Sequence, residues 1–199
     1  SYVKELYPKS KRDLFAVFME VAEKNTQAAG RLGMINQHSW MFLSSYEDLR
    51  KYVLDTTLIE SMLHLGPRTF DEIGGEVVQS TAFVLRNALP QGRTGTYFRL
   101  VEESSTSEKE ETFQSNRHRY EGVDQQDFEK IPRNVLAYWI PESILNDFEN
   151  KRSVEDICTL KKGLTTGDNR RFLRTWYEID NSRLSLHCDS FESMEENNI

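Results

Sequence analysis

The chain of 199 residues carries 25 Lys and Arg against 32 Asp and Glu, a formal net charge of -7, with 38% hydrophobic and 29% charged residues. That length and apolar content suit one well-buried domain, or one domain and the beginning of another, and exclude a wholly disordered chain. The acidic balance excludes a generally basic nucleic-acid coat; no apolar run reaches a membrane span and the charged start "SYVKELYPKSKRD" is not of the secretory type, so a soluble cytoplasmic protein without a membrane partner is expected.

The first predicted element is a helix in "KSKRDLFAVFMEVAEKNTQAAGR", where Leu14, Phe15, Phe18, Val21 and Ala22 fall on one stripe and Gly30 suits the C-terminal cap. "RLGMI" follows as a short strand, expected to be buried on both faces because it is apolar throughout. Ser44 and Glu47 have capping-box spacing and open a helix in "SYEDLRKYVLD", with Tyr46, Leu49 and Val53 on a common face. "TLIESMLHLG" and "VVQSTAFVLRN" read as strands on either side of the loop "GPRTFDEIGGE", and "TYFRLV" as the third member of a meander.

Strand, helix, strand at the start predicts a parallel α/β crossover, with antiparallel strands added beyond it. If one edge of "RLGMI" lacks a neighbour, that apolar edge favours association. Residues 102–116 read as a polar linker or an exposed helix, and a further helix is predicted from about Pro141, a residue suited to a first helical turn.

Charge is segregated near the end of the chain. Between Lys151 and Tyr177 lie Lys151, Arg152, Lys161, Lys162, Arg170, Arg171 and Arg174 against Glu155, Asp156 and Asp168. The loop "GLTTGDNRRF" in this segment has the composition of an anion site and equally that of a solvated turn. Cys158 and Cys188 read as free thiols, and His38, His64, His118 and His187 lack metal or nucleophile-elbow patterns around them. His38 stands apart by following the end of a predicted strand, the edge where open α/β sheets place ligands. Phe70 stands apart as a large aromatic in a loop, where it can stack on a base or close the sheet edge. Trp40, Trp139 and Trp176 are most simply packing residues.

In this order, "DLFAVFMEVA", "GRLGMINQHSWMFLSSYEDLRKYVL", "LGPRTFDEIGGEVVQSTAFVLRN" and "GLTTGDNRRFLRTW" resemble the latter part of the N6-adenine-specific DNA methyltransferases of restriction and phage-exclusion systems, with the greatest likeness to the BREX-type enzyme. The resemblance implies an α/β fold, the flank of a Rossmann-like sheet with antiparallel terminal strands, followed by a connector into a second domain. Residues 1–101 would be the C-terminal half of the catalytic domain, and 117–199 the connector and the start of target recognition.

It also implies S-adenosylmethionine as cofactor, with Asp13, Leu14 and Phe15 walling its pocket. Phe70, anchored by Leu65-Gly66, would stack on a flipped adenine. Arg170 and Arg171 would contact the DNA backbone. Double-stranded DNA, the N-terminal half of the enzyme and other defence-system proteins are the implied partners. The family's Asn/Asp-Pro-Pro-aromatic motif and its glycine-rich motif are both absent, since the sequence contains no Pro-Pro pair and no GxGxxG. The expectation is therefore a methyltransferase fragment that is inactive alone, or, as the rival reading, a non-catalytic DNA-binding or assembly module with the same architecture.

Overall fold

Five strands form a single mixed sheet: β1 (Arg31–Gln37), β2 (Leu58–Gly66), β3 (Ser80–Arg86), β4 (Thr94–Arg99) and β5 (Arg119–Asp124), in the order β1-β3-β2-β4-β5. The computed structural model describes residues 2–70, 78–89, 92, 94–159, 167–168, 171, 173 and 175–180, apart from the side chains of Glu155 and Trp176. The chain divides into two units, Ser1–Ser153 and Val154–Ile199. The first contains the whole sheet and the helices α1 (Tyr2–Leu6), α2 (Leu14–Asn25), α3 (Glu47–Thr56), α4 (Thr106–Gln114), α5 (Asp127–Lys130) and α6 (Glu142–Asn150). Among the described residues of the second are two short 3-10 turns, Val154–Asp156 and Trp176–Glu178, the latter closed by a Thr175/Glu178 capping box.

The α/β class is as expected, but the crossover takes a different form. β1 and β2 each pair antiparallel with β3, so they run parallel to one another with β3 seated between them. β4 does not extend a meander from β3; it lies parallel to β2 on the other side. Without β4, the apolar strand β2 would present an unpaired edge. Gly95 permits the close approach, because a Cβ there would stand 2.3 Å from the carbonyl oxygen of Ile59.

The helices α2 and α3 cover one sheet face, burying Ala16, Met19, Leu49, Val53 and Leu54 against Leu32, Met62, Phe83 and Leu85 in one cluster. The opposite face is more open, and the cross-strand row Ile35, Ala82, Leu63 leaves Ile35 59% exposed. β1 is therefore not buried on both faces as its composition suggested. Its place at the end of the sheet does leave one edge without a strand among the described residues.

Helix α2 begins where Asp13 caps it, its carboxylate accepting from the Phe15 backbone N–H at 3.5 Å. Its inward face differs from the predicted stripe: Ala16, Val17, Met19 and Glu20 are buried, while Leu14 and Phe18 are exposed. Glu20 is satisfied in that position by Ser10 Oγ at 2.8 Å and Lys24 Nζ at 2.8 Å, which allows a carboxylate outside the predicted stripe to sit in the interior.

The Ser44 capping box does not form. Ser44–Tyr46 is a 3-10 turn and α3 starts at Glu47 with no side-chain cap. Buried Arg50 organises this approach instead, donating from Nη1 to the carbonyls of Trp40 and Leu43, both at 2.8 Å. The 102–116 stretch resolves as helix α4, capped by Ser105 Oγ accepting from Glu108 N, and it buries Lys109 and Thr112. Pro141 stands at the N-cap of α6, as its position in the sequence suggested.

Candidate functional site at the carboxyl edge of the sheet

Because β1, β2 and β4 run in the same direction, their carboxyl ends bring Gln37-His38, His64-Gly66 and Arg99-Leu100 to one edge. Ligands of open α/β sheets bind outside this edge. The residues gathered there come from positions far apart in the chain.

His38 Nδ1 lies 2.8 Å from His64 Nε2. The Phe42 and His38 rings form a T-shaped pair with centroids 5.4 Å apart, the Trp139 and Tyr138 rings are centred 6.1 and 6.4 Å from that of His64, and the Arg99 guanidinium stands 5.4 Å over Trp139. His64 is only 4% exposed. Burial is the largest influence on it; its interaction with His38 and the positive charges of Arg99 and Lys109 act in the same direction and press its pKa down to about 3. His38 is half-buried, and burial lowers its pKa as well. The pair is therefore neutral at physiological pH. Several polar atoms of this edge, His64 Nδ1, Arg99 Nε, Glu103 Oε2 and both amide atoms of Asn36, are buried without a hydrogen-bond partner among the described residues.

The strand-end position of His38 was legible in the sequence. His64 was missed, although the alternation of "SMLHLG" carries a signal: a histidine in register with Met62 faces the covered side of the sheet, where a polar ring needs a partner.

Phe70 occupies the other side of the same edge. It is 44% exposed and borders an open hollow of about 320 Å³, whose lining includes Leu63, Leu65, Leu100, Lys109 and Phe113. Two features fix the segment that leads to it. Gly66 has φ 66°, and a Cβ there would meet Val101 at 2.9 Å, so glycine is required on both counts. Lys109 Nζ donates to the carbonyls of Leu65 at 2.7 Å, Leu100 at 2.5 Å and Glu103 at 3.3 Å, tying the ends of β2 and β4 to α4. Lys109→Met keeps the aliphatic stem but orphans these carbonyls. It is expected to cost about 2–4 kcal/mol in urea unfolding and to speed amide exchange at Leu65–Phe70; unchanged exchange there would show that the ammonium does not hold the segment.

Asp13, Leu14 and Phe15 form the start of α2. The short link from α2 to β1 makes the two antiparallel, which carries this helix start to the carboxyl end of β1, and the Phe15 ring lies 5.5 Å from Tyr46. Leu14 is 62% exposed and Asp13 is exposed. Arg171, in the second unit, is exposed, and its backbone N–H bonds Asp168. Arg170, His187 and Cys188 lie outside the described residues, and Cys158 is an exposed free thiol. No group of three or more His, Cys, Asp or Glu among the described residues could hold a metal ion, and no helix among them is long and apolar enough to cross a membrane.

Residues 1–70 match the family of Eco57I restriction-modification methylases. The chain is 42% identical over 191 residues to the adenine-specific methyltransferase PglX of Lacticaseibacillus casei (strain Zhang), a match covering 93% of this chain and 16% of that protein. It is 38% identical over 179 residues to the adenine-specific methyltransferase BrxX of Escherichia coli O9:H4 (strain HS), covering 89% of this chain and 15% of that protein. The chain thus spans about one sixth of the length of these curated relatives. Among solved structures, the cryo-EM structure of a DrdV–DNA complex is similar over 71% of this chain and 15% of that one, with 14% identity and a TM-score of 0.49. Identity of this order, sustained across some nine-tenths of the chain in two relatives, shows the chain to be homologous to one segment of adenine-specific methyltransferases.

Proposed function

We propose that this chain supplies the flank and carboxyl edge of an S-adenosylmethionine-dependent, adenine-specific DNA methyltransferase acting in phage defence or restriction-modification. The observation that carries the reading is the 42% identity to an adenine-specific methyltransferase over 93% of the chain. In this reading residues 1–101 belong to the catalytic domain, and those from 117 onward lead into target recognition.

The chemistry assigns the residues their parts. A methylase takes adenine out of the duplex stack at a cost of a few kcal/mol, offset by stacking and hydrogen bonds to the extruded base. Phe70, half-exposed beside an apolar hollow, offers a ring face for that stacking. Arg170 and Arg171 contribute backbone-phosphate contacts, which position a protein on DNA without specifying sequence.

S-adenosylmethionine, when bound, supplies the methyl group from its sulfonium to the adenine amino nitrogen. The start of α2 fits a wall of its pocket: Leu14 is an exposed apolar side chain, Phe15 a half-buried ring, and the long 3.5 Å cap contact of Asp13 leaves acceptor capacity on its carboxylate. The chain provides one wall and neither an Asn-Pro-Pro-aromatic nor a glycine-rich motif, so we infer that it does not methylate by itself.

The test uses the longer protein carrying this chain, DNA and labelled S-adenosylmethionine. Methyl transfer to adenine is expected, and Phe70→Ala should lower its rate at least tenfold while reducing the 2-aminopurine fluorescence rise at the target base. DNA binding without any transfer would favour the non-catalytic module, and an unchanged 2-aminopurine signal would remove Phe70 from the site.

A further inference from the structure

The two histidines at the carboxyl edge are joined by one hydrogen bond, and only one of the two ways of placing its proton suits the surroundings. Neutral imidazole carries one N–H. If His38 Nδ1–H donated to His64 Nε2, the proton of His64 would sit on Nδ1, an atom that is buried and has no hydrogen-bond partner among the described residues. That would enclose an unsatisfied donor in a ring that is 4% exposed, within reach of the positive charges of Arg99 and Lys109. With the opposite arrangement, His64 Nε2–H donates to His38 Nδ1, and the enclosed Nδ1 of His64 keeps only a lone pair. An orphaned buried N–H is the rarer and costlier of the two, and cationic neighbours favour a lone pair over an N–H.

Placing the proton on His64 Nε2 fixes the tautomer of His38. With Nδ1 occupied as acceptor, the single proton of His38 resides on Nε2, which makes no hydrogen bond among the described residues. His38 is half-buried at the end of β1, flanked by the half-buried ring of Phe42. A neutral N–H donor among aromatic rings suits the in-plane lone pair of a flat heteroaromatic acceptor.

We propose that His64 is a positioning residue that locks His38 as an Nε2–H donor, and that His38 gives this hydrogen bond to a ring nitrogen of the extruded adenine. The proposal rests on the methyltransferase reading for its ligand, but the tautomer stands apart from it. His38 thereby reads the base as a purine of a given orientation, while Phe70 supplies stacking from the other side of the edge.

Two experiments separate these parts. In the 15N-histidine-labelled chain, long-range 15N–1H spectra at pH 7.5 should show His38 protonated at Nε2, with a through-bond 15N–15N coupling from a proton-bearing His64 Nε2. A proton on His38 Nδ1 would overturn the lock. In the longer protein, duplexes carrying 1-deaza-, 3-deaza- or 7-deazaadenine at the methylated position replace one ring acceptor each. Wild type should lose about tenfold in kcat/KM on one of them relative to adenine.

His38→Phe should abolish that selective loss, as should His64→Leu, whereas His64→Gln, whose amide can still donate to His38 Nδ1, should retain it. Equal penalties in wild type and His38→Phe would overturn the contact with the base. Absence of methylation on every duplex would instead sink the methyltransferase reading and leave the tautomer to the spectra.

Discussion

Arg50→Met is expected to destabilise the first unit by about 3–5 kcal/mol, among the largest effects of any single substitution in it. Arg50 is completely buried, and among the described residues its guanidinium makes no ion pair within 4 Å and hydrogen-bonds only to backbone carbonyls. Nη1 holds Trp40 and Leu43, while Nε and Nη2 grip the carbonyl of Arg133 at 3.1 and 2.9 Å. Methionine fills most of the aliphatic volume but takes the charged donor away from the carbonyls of Trp40 and Arg133, and leaves Leu43 only its bond from the Tyr46 N–H. The rigid guanidinium fork serves acceptors in two separate segments at once, so Arg50→Lys should recover less than half of the loss.

The consequence reaches the site, because the carbonyls belong to the segment that follows His38 and to the one that precedes Tyr138 and Trp139. Equilibrium urea unfolding would measure the loss at unchanged m-value, and a difference under 1 kcal/mol would show that water replaces the guanidinium there.

What the sequence disclosed and what it withheld divide along the range of the interactions. The existence of α2, though not its end, which falls at Asn25 and not near Gly30, and the start of α6 after Pro141 depend on neighbours a few residues away, and both were legible. The seat of β4 beside β2 depends on pairing of residues as distant as Ser61 and Thr96 and on the absence of a side chain at Gly95, so a meander was the natural but mistaken expectation. Amphipathic spacing suggested that α2 buries Leu14 and Phe18. It failed because Glu20 brings its own partners, Ser10 and Lys24, into the interior.

The site divides in the same way. Likeness to a family pointed to Phe70 and to Asp13 through Phe15, and strand-end logic pointed to His38. Arg50 and Lys109 carry no local signature, since their partners are backbone carbonyls that the sequence does not mark. His64 acquires its meaning only once β1 and β2 are side by side with His38 at the shared edge.

Acid should weaken the fold through that same pair, with a sign fixed by linkage. An unfolded histidine takes up its proton near pH 6.5, while His64 in the folded chain resists protonation until about pH 3. Between those values the unfolded state binds the extra proton, so stability rises with pH and falls as the solution is acidified. The slope approaches 1.4 kcal/mol per pH unit, or about 2–3 kcal/mol between pH 6 and pH 4 from this residue.

Carboxylates titrate in the same range, so the informative quantity is the gap between wild type and His64→Phe. The variant retains an aromatic ring among Phe42, Tyr138 and Trp139 but has nothing to protonate. It should be the less stable protein at pH 7.5, having lost the bond to His38, and should gain about 3 kcal/mol on wild type as the pH drops to 4. Parallel stability curves in urea titrations across this range would mean that His64 accepts a proton without leaving its place. A converging pair would show that the imidazoles hold together only while uncharged, the condition under which His38 can present its Nε2–H to a neutral base.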